Sequence, residues 1–223
     1  MRVPVNLIGA GRIGRAVAAR LDASDRYRLQ AVVRRGGPPP PDAPLTIDAA
    51  GPAALREHGA RALAAGDLWT VGAAALIDEG VRRALDDAAR TAGTELRLFT
   101  GWVTGPAMLP AGVPATLHVF QSAPRLGPAP GLLFRGPLAE AARAFPDHLN
   151  TATAAALAGP GIAATTVELV SAEDGGPHVI RARFEMPGQT IETETRFDGD
   201  GPHPVASAIV AALERRGARL RYG

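Results

Sequence analysis

Val3-Pro4-Val5-Asn6-Leu7-Ile8-Gly9-Ala10-Gly11-Arg12-Ile13-Gly14 is the stretch on which the reading of this chain turns. Val3–Ile8 is an apolar run of strand length, and the glycines after it have the spacing G-x-G-x-x-G. In that pattern Gly9 allows a tight turn, Gly11 lets a phosphate approach the backbone, and Gly14 permits a helix to pack closely on a strand. A helix over Arg12–Leu21, with Ile13, Val17, Ala18 and Leu21 at helical spacing, turns the N–H groups of its first turn toward that phosphate. Tyr27–Val33 reads as a second strand. The segment is therefore a strand–helix–strand unit predicted to bind a dinucleotide through Gly9, Ala10, Gly11, Arg12, Ile13 and Gly14; the competing reading is a turn of the same shape with no phosphate on it.

Outward from this unit the alternation continues. Leu45–Ala49, Leu68–Val71 and Leu96–Thr100 read as strands, Pro52–Ala65 and Asp78–Ala92 as helices, which predicts an α/β fold with a doubly wound parallel sheet. Gly36-Gly37-Pro38-Pro39-Pro40-Pro41-Asp42 interrupts it as an extended, polyproline-like connection. Past Pro106 the pattern becomes β-rich, with strands at Ala115–Gln121, Leu132–Arg135, Ala164–Ser171, His178–Met186 and Thr190–Phe197. Helices are predicted at Pro137–Phe145, Pro146–Leu157 and Pro204–Arg216. Ile180, Ala182 and Phe184 alternate with Arg181, Arg183 and Glu185, and Thr190, Glu192 and Glu194 are polar, so the hairpin around Pro187-Gly188-Gln189 has one wet face. The expectation is a dinucleotide-binding domain over 1–105, a second, smaller α+β domain of mostly antiparallel strands over 106–203, and a closing helix at 204–217 that returns to the first. An uncovered sheet face would serve a homodimer or simply face water.

Composition narrows the chemistry. The chain has 223 residues, 46% hydrophobic and 21% charged, as expected of a soluble globular protein. All 24 basic residues are Arg, so lysine Schiff bases, lysine general bases and Walker-type phosphate lysines are excluded. Cysteine is absent, which excludes disulfides, thiolate nucleophiles and Cys-ligated zinc. A net charge of +2 with 4% aromatic residues gives no basis for binding nucleic acid. The N-terminus offers only a strand's length of apolar residues and no cleavable small-residue site, so the expected location is cytoplasmic.

Two further features bear on the site. Arg34 and Arg35 follow the second strand, where an acidic residue would accept from the adenosine ribose hydroxyls. A guanidinium cannot accept but pairs with a phosphate dianion, which favours NADP over NAD; the other reading is a solvated arginine pair beside the prolines. With Lys and Cys gone, histidine is the obvious acid/base. His58 falls on an expected solvated helix surface, His118 in a strand, His148 at a helix start and His203 between two prolines. His178 stands where a loop enters a strand after Gly175-Gly176-Pro177.

The chain as a whole resembles the aspartate dehydrogenase family, in which a Rossmann domain precedes a smaller α/β domain that holds the substrate. The likeness rests on the Gly9–Gly14 loop, on Asp48-Ala49-Ala50-Gly51-Pro52-Ala53-Ala54-Leu55, and on Thr100-Gly101-Trp102-Val103-Thr104-Gly105. Its most specific part is Phe145-Pro146-Asp147-His148-Leu149-Asn150-Thr151-Ala152, similar to the family's Phe-Pro-x-Asn-x-Asn-x-Ala. It implies that Asn150 contacts the nicotinamide end of the cofactor, that groups at Gly101 and Trp102 orient its carboxamide, and that His178 is the catalytic acid/base. Trp102 stands where the family has a small residue, Val179 where it usually has Glu, and His203-Pro204-Val205-Ala206-Ser207 where it has Asn-Pro-Lys-Thr-Ser. A helix and strand are also missing near the four prolines. The expected function is an NAD(P)-dependent oxidoreductase acting at the C–N bond of a small amino acid, L-aspartate or a less charged analogue, or its imine. The alternative is a diverged NADP(H)-binding sensor or partner protein.

Overall fold

The apolar runs of the first half pair side by side in one parallel sheet, and those of the second half form a mixed one. The computed structural model describes residues 1–101, 103, 109, 112–198, 201–217 and 219. In chain order the elements are β1 (Val3–Ile8), α1 (Arg12–Asp22), β2 (Tyr27–Val33), β3 (Leu45–Asp48), α2 (Pro52–Ala65), β4 (Asp67–Thr70), a 3-10 turn at Ala73–Ile77, α3 (Glu79–Ala92) and β5 (Leu96–Leu98). Then come β6 (Thr116–Pro124), β7 (Gly131–Pro137), α4 (Leu138–Ala144), α5 (Asn150–Ala158), β8 (Thr165–Ala172), β9 (His178–Met186), β10 (Gln189–Phe197) and α6 (Pro204–Arg215). The chain divides into two compact units, the first made of Met1–Phe99 with Val205–Arg216 and the second built on Thr100–Pro204. The division falls N-terminal to the boundary placed at 105, so Gly101 belongs to the second unit.

In the first unit the strand order is β2-β1-β3-β4-β5, every neighbouring pair parallel. Val5 and Leu7 of β1, Leu45 and Ile47 of β3 and Trp69 of β4 share one core with Val17 and Leu21 of α1 and Val205, Ile209, Ala212 and Leu213 of α6. Successive side chains of a strand point to opposite faces, so Thr46, Asp48, Leu68 and Thr70 lie on the other face, where α2 packs. A parallel sheet covered on both sides is expected to read as unbroken apolar strands, and the burial of all four residues of β3 follows from that. The chain crosses from β2 to β3 over β1 through the proline-rich loop, without a helix. Its backbone is held by side chains instead: Asn6 Nδ2 donates to the Pro41 carbonyl at 2.6 Å, Gln30 Nε2 to that of Asp42 at 2.9 Å, and Arg61 Nε to that of Pro40 at 3.4 Å.

In the second unit the order is β10-β9-β6-β8-β7, with β6 and β8 parallel and the other pairs antiparallel. Leu117, Val119, Gln121 and Ala123 alternate along β6 into the core, as do Ala182 and Phe184 along β9. On the wet side of the β9–β10 hairpin, Arg181 stands opposite Glu194 and Arg183 opposite Glu192. Both pairs form ion pairs, Arg183 to Glu192 at 3.1 Å. These are cross-strand contacts of solvated side chains and add little to stability.

Candidate functional site

At the carboxyl edge of the first sheet, β1 ends and its chain turns sharply. Gly9 N–H donates to the Val33 carbonyl at 2.8 Å, and Ala49 N–H to that of Ile8 at 2.8 Å, so the turn is anchored to both neighbouring strands. Gly9 has φ +96°, and a Cβ on it would lie 2.9 Å from the Cβ and N of Ala50. A Cβ on Gly14 would lie 2.1 Å from the Gly9 carbonyl oxygen, which is the close helix-on-strand approach the motif requires. Gly11, the N-cap of α1, is extended, no side chain caps the helix there, and a Cβ on it would meet nothing within 4 Å. The result is an open, backbone-lined cradle at a helix start, next to the place where the strand order reverses between β2 and β3. Both features suit a pyrophosphate. Ile13 is partly buried and packs against the core of the first unit.

Arg34 and Arg35 are exposed directly after β2, in a turn closed by Gly37 N–H on the Arg34 carbonyl at 2.9 Å. Among the described residues neither forms an ion pair, and no carboxylate stands at the end of β2. The carboxylate at this edge is Asp48, at the end of β3 and fully buried. Burial pushes its carboxyl above the ordinary value, opposed by hydrogen bonds from Thr70, Ala50 and Gly51 and by the field of His58. His58, expected on a solvated surface, is buried on α2, because that side of the helix turns toward the sheet.

In the second unit His178 opens β9 opposite Phe197, the last residue of β10. The two ring centroids lie 4.5 Å apart with a tilt of 41°, and the His203 ring lies 5.3 Å from that of Phe197, edge to face. The Nε2 of His178 is buried and has no hydrogen-bond partner among the described residues. Burial first, then the fields of His203 and His148, lower its pKa from 6.5 to about 4. The imidazole is neutral through the physiological range, holding one nitrogen available for a proton or a donor from a ligand. His118 is a sheet histidine bound through Nδ1 to Thr166 Oγ1 at 3.0 Å. Asn150 is the first residue of α5, its Nδ2 donating to the Asp147 carbonyl at 3.4 Å. Gly101 has φ +64°, while Trp102 lies outside the described residues. Val205, at the place compared with a lysine, is buried in the core of the first unit.

Among the described residues no group of His, Asp and Glu could hold a metal ion. Phe197 and Thr70 carry no motif and escape a reading of the sequence. Phe197 could have been suspected as the residue that a hairpin turn at Pro187–Gln189 must bring back beside His178.

A model of the C-terminal region of aspartate dehydrogenase matches residues 118–215. L-aspartate dehydrogenase of Ruegeria pomeroyi is 31% identical, over 99% of this chain and 94% of that protein. L-aspartate dehydrogenase 2 of Bordetella pertussis is also 31% identical, over 98% of each. The crystal structure of aspartate dehydrogenase from Thermotoga maritima superposes with a TM-score of 0.81 over the whole of both chains at 18% identity, a likeness of fold. With a relative this similar along nearly its full length, the chain belongs to the aspartate dehydrogenase family.

Proposed function

We propose that this protein is an NADP(H)-preferring dehydrogenase that works at the C–N bond of a small amino acid or the corresponding imine, with His178 as its acid/base. Family membership supplies the coarser part, an NAD(P)-dependent oxidoreductase with a small-molecule substrate. The observation that carries the finer part is the pair of exposed guanidiniums of Arg34 and Arg35 at the end of β2, without an ion pair among the described residues, where a ribose-binding acid would stand. Their charge favours a 2′-phosphate and offers nothing to a free hydroxyl pair.

The Gly9–Gly14 loop would hold the pyrophosphate on backbone N–H groups, and the family resemblance assigns Asn150 and Gly101 to the carboxamide end. The nicotinamide, when bound, supplies the acceptor or donor of a hydride. The protein's own task is then proton handling. In the oxidative direction the α-carbon of the substrate loses a hydride and its amine a proton, and water adds to the imine before ammonia leaves. A neutral His178 can take the proton from the amine or from the attacking water, and return it to the departing nitrogen. Val205 in the core puts no cation at the place compared with a lysine, which supports a substrate less charged than aspartate.

The test is turnover with NADPH and NADH against a panel of amino acids, and of oxo acids with ammonia. Expected is activity on a monocarboxylic or amide-bearing amino acid, faster at low NADPH than at equal NADH. Cofactor binding without turnover of any member would replace this reading with that of a sensor or partner protein.

A further inference from the structure

The cradle after β1 accounts for the Gly9–Gly14 loop, but two neighbouring turns, after β3 and after β4, are built with equal care and have no role in the chemistry above. Asp48, at the end of β3, collects three donors. Ala50 N–H and Gly51 N–H donate to its Oδ1 at 2.8 and 3.3 Å, and the Thr70 hydroxyl donates to its Oδ2 at 2.7 Å. Thr70 Oγ1 in turn accepts from Gly72 N–H at 2.8 Å, and Val71 N–H donates to the Asp48 carbonyl at 3.0 Å. One buried carboxylate and one buried hydroxyl thus tie the turn after β3 to the turn after β4.

Those turns are not separate from the cradle. A Cβ on Gly9 would lie 2.9 Å from the Ala50 N and 3.0 Å from the Ala49 carbonyl carbon; one on Gly72 would lie 2.7 Å from the Gly51 carbonyl carbon and oxygen. The backbones after β1, β3 and β4 are therefore in direct contact, in a row along the carboxyl edge. Packed backbone cannot yield by rotating a side chain, so a shift at Ala50–Gly51 moves Gly9 with it. We propose that Asp48 is a positioning residue of the dinucleotide site, fixing with Thr70 the turns against which the Gly9 turn rests. This rests on the reading of that edge as the cofactor site.

A carboxylate suits the position because every group around it donates. Asparagine in its place has one acceptor oxygen and an NH2, so either Thr70 or the Ala50–Gly51 pair faces a donor. The experiment measures NADPH and NADH dissociation constants by fluorescence titration, and thermal unfolding without cofactor, for the natural protein, Asp48→Asn, Thr70→Val and Thr70→Ser. Expected is weakening of both nucleotides by about tenfold or more in Asp48→Asn, the scale of losing one charge-assisted hydrogen bond that holds the turns in place. The NADPH/NADH ratio stays unchanged, because Asp48 does not face the 2′-position. Thr70→Val shifts affinity in the same direction, and Thr70→Ser, which keeps the hydroxyl, restores it. A lower melting temperature with unchanged dissociation constants in Asp48→Asn would mean a structural carboxylate only and overturn the proposal. Should Asp48→Asn not fold, equal affinities for Thr70→Val and Thr70→Ser overturn it as well. If the natural protein binds neither nucleotide, the reading of the edge fails and the proposal with it; if it binds and the variants bind alike, the proposal alone fails.

Discussion

The two sheets hold their candidate site residues in different materials. The first is parallel and covered on both faces, and what it offers a ligand is backbone: the turns at Gly9, Gly51 and Gly72, and a helix start without a cap. The second is mixed, with a hairpin whose outer face is a ladder of solvated Arg and Glu, and what it offers is a side chain: one imidazole between β9 and β10 with a buried nitrogen unsatisfied. Backbone turns bind what every member of a cofactor class shares. A single side chain whose proton affinity is set by its neighbours can be matched to one reaction. Changes at the end of β2 and at His178 should therefore have separable effects on nucleotide binding and on turnover.

The largest expected effect tests that separation. His178→Asn should lower turnover by about 100-fold or more, the lower range for loss of a general acid/base, and leave NADPH affinity unchanged in a fluorescence titration. Retained activity would make His178 a strand residue; lost cofactor binding would mean that the two functions are not divided as the sheets are. In the first unit, Arg34→Asp should do the converse, lowering NADPH affinity by about 10–100-fold, as for losing about 1.5–3 kcal/mol of charge-assisted hydrogen bonding, with the maximal rate on the best substrate preserved. Equal NADPH and NADH affinities in the unaltered protein would return the arginine pair to mere surface.

A smaller effect sharpens the account of the second unit. The His178 pKa is lowered from 6.5 to about 4, so the unfolded chain binds this proton more readily than the folded one. The contribution is full above pH 6.5 and is lost as the pH falls toward 4. It amounts to something on the order of 1–3 kcal/mol. Melting temperature against pH should fall less steeply across that window in His178→Asn than in the unaltered protein. Parallel curves would show that the ring is better solvated than its packing against Phe197 implies.

Periodicity and spacing carry the fold well because each element is a local pattern with a physical period. β1, β2, α2 and β9 occupy the residues that their apolar runs predict, and Asp78, taken as the first residue of a helix, is the N-cap of α3, accepting from Val81 N–H at 3.1 Å. The 3-10 turn at Ala73–Ile77 has no such period and no counterpart among the elements that the sequence predicts. The glycine turn after β1 is readable for the same reason as the strands, since its glycines lie within one short stretch. The surroundings of His178 are not, because Phe197, His203 and His148 reach it through the register of a hairpin and the course of two loops. Asp48 shows a third case: it sits in a segment whose family likeness is plain, yet its bond to Thr70 depends on β3 and β4 being neighbours.

The first unit is discontinuous, and this matters for synthesis. Val205, Ile209, Ala212 and Leu213 complete its core, Tyr27 donates its hydroxyl to the Leu213 carbonyl at 3.2 Å, and Arg216 pairs with Asp67 at 2.6 Å. On the ribosome, Met1–Phe99 emerges first but must wait for the whole of Thr100–Pro204 to be translated before α6 arrives. At roughly 5–20 residues per second, that leaves the apolar faces of α1 and its sheet uncovered for about 5–20 seconds. The intervening unit, contiguous in sequence, can fold in that interval and tether the incomplete half. The order of closure thus reverses the order of the sequence, since the unit whose strands are made first is the last to be completed.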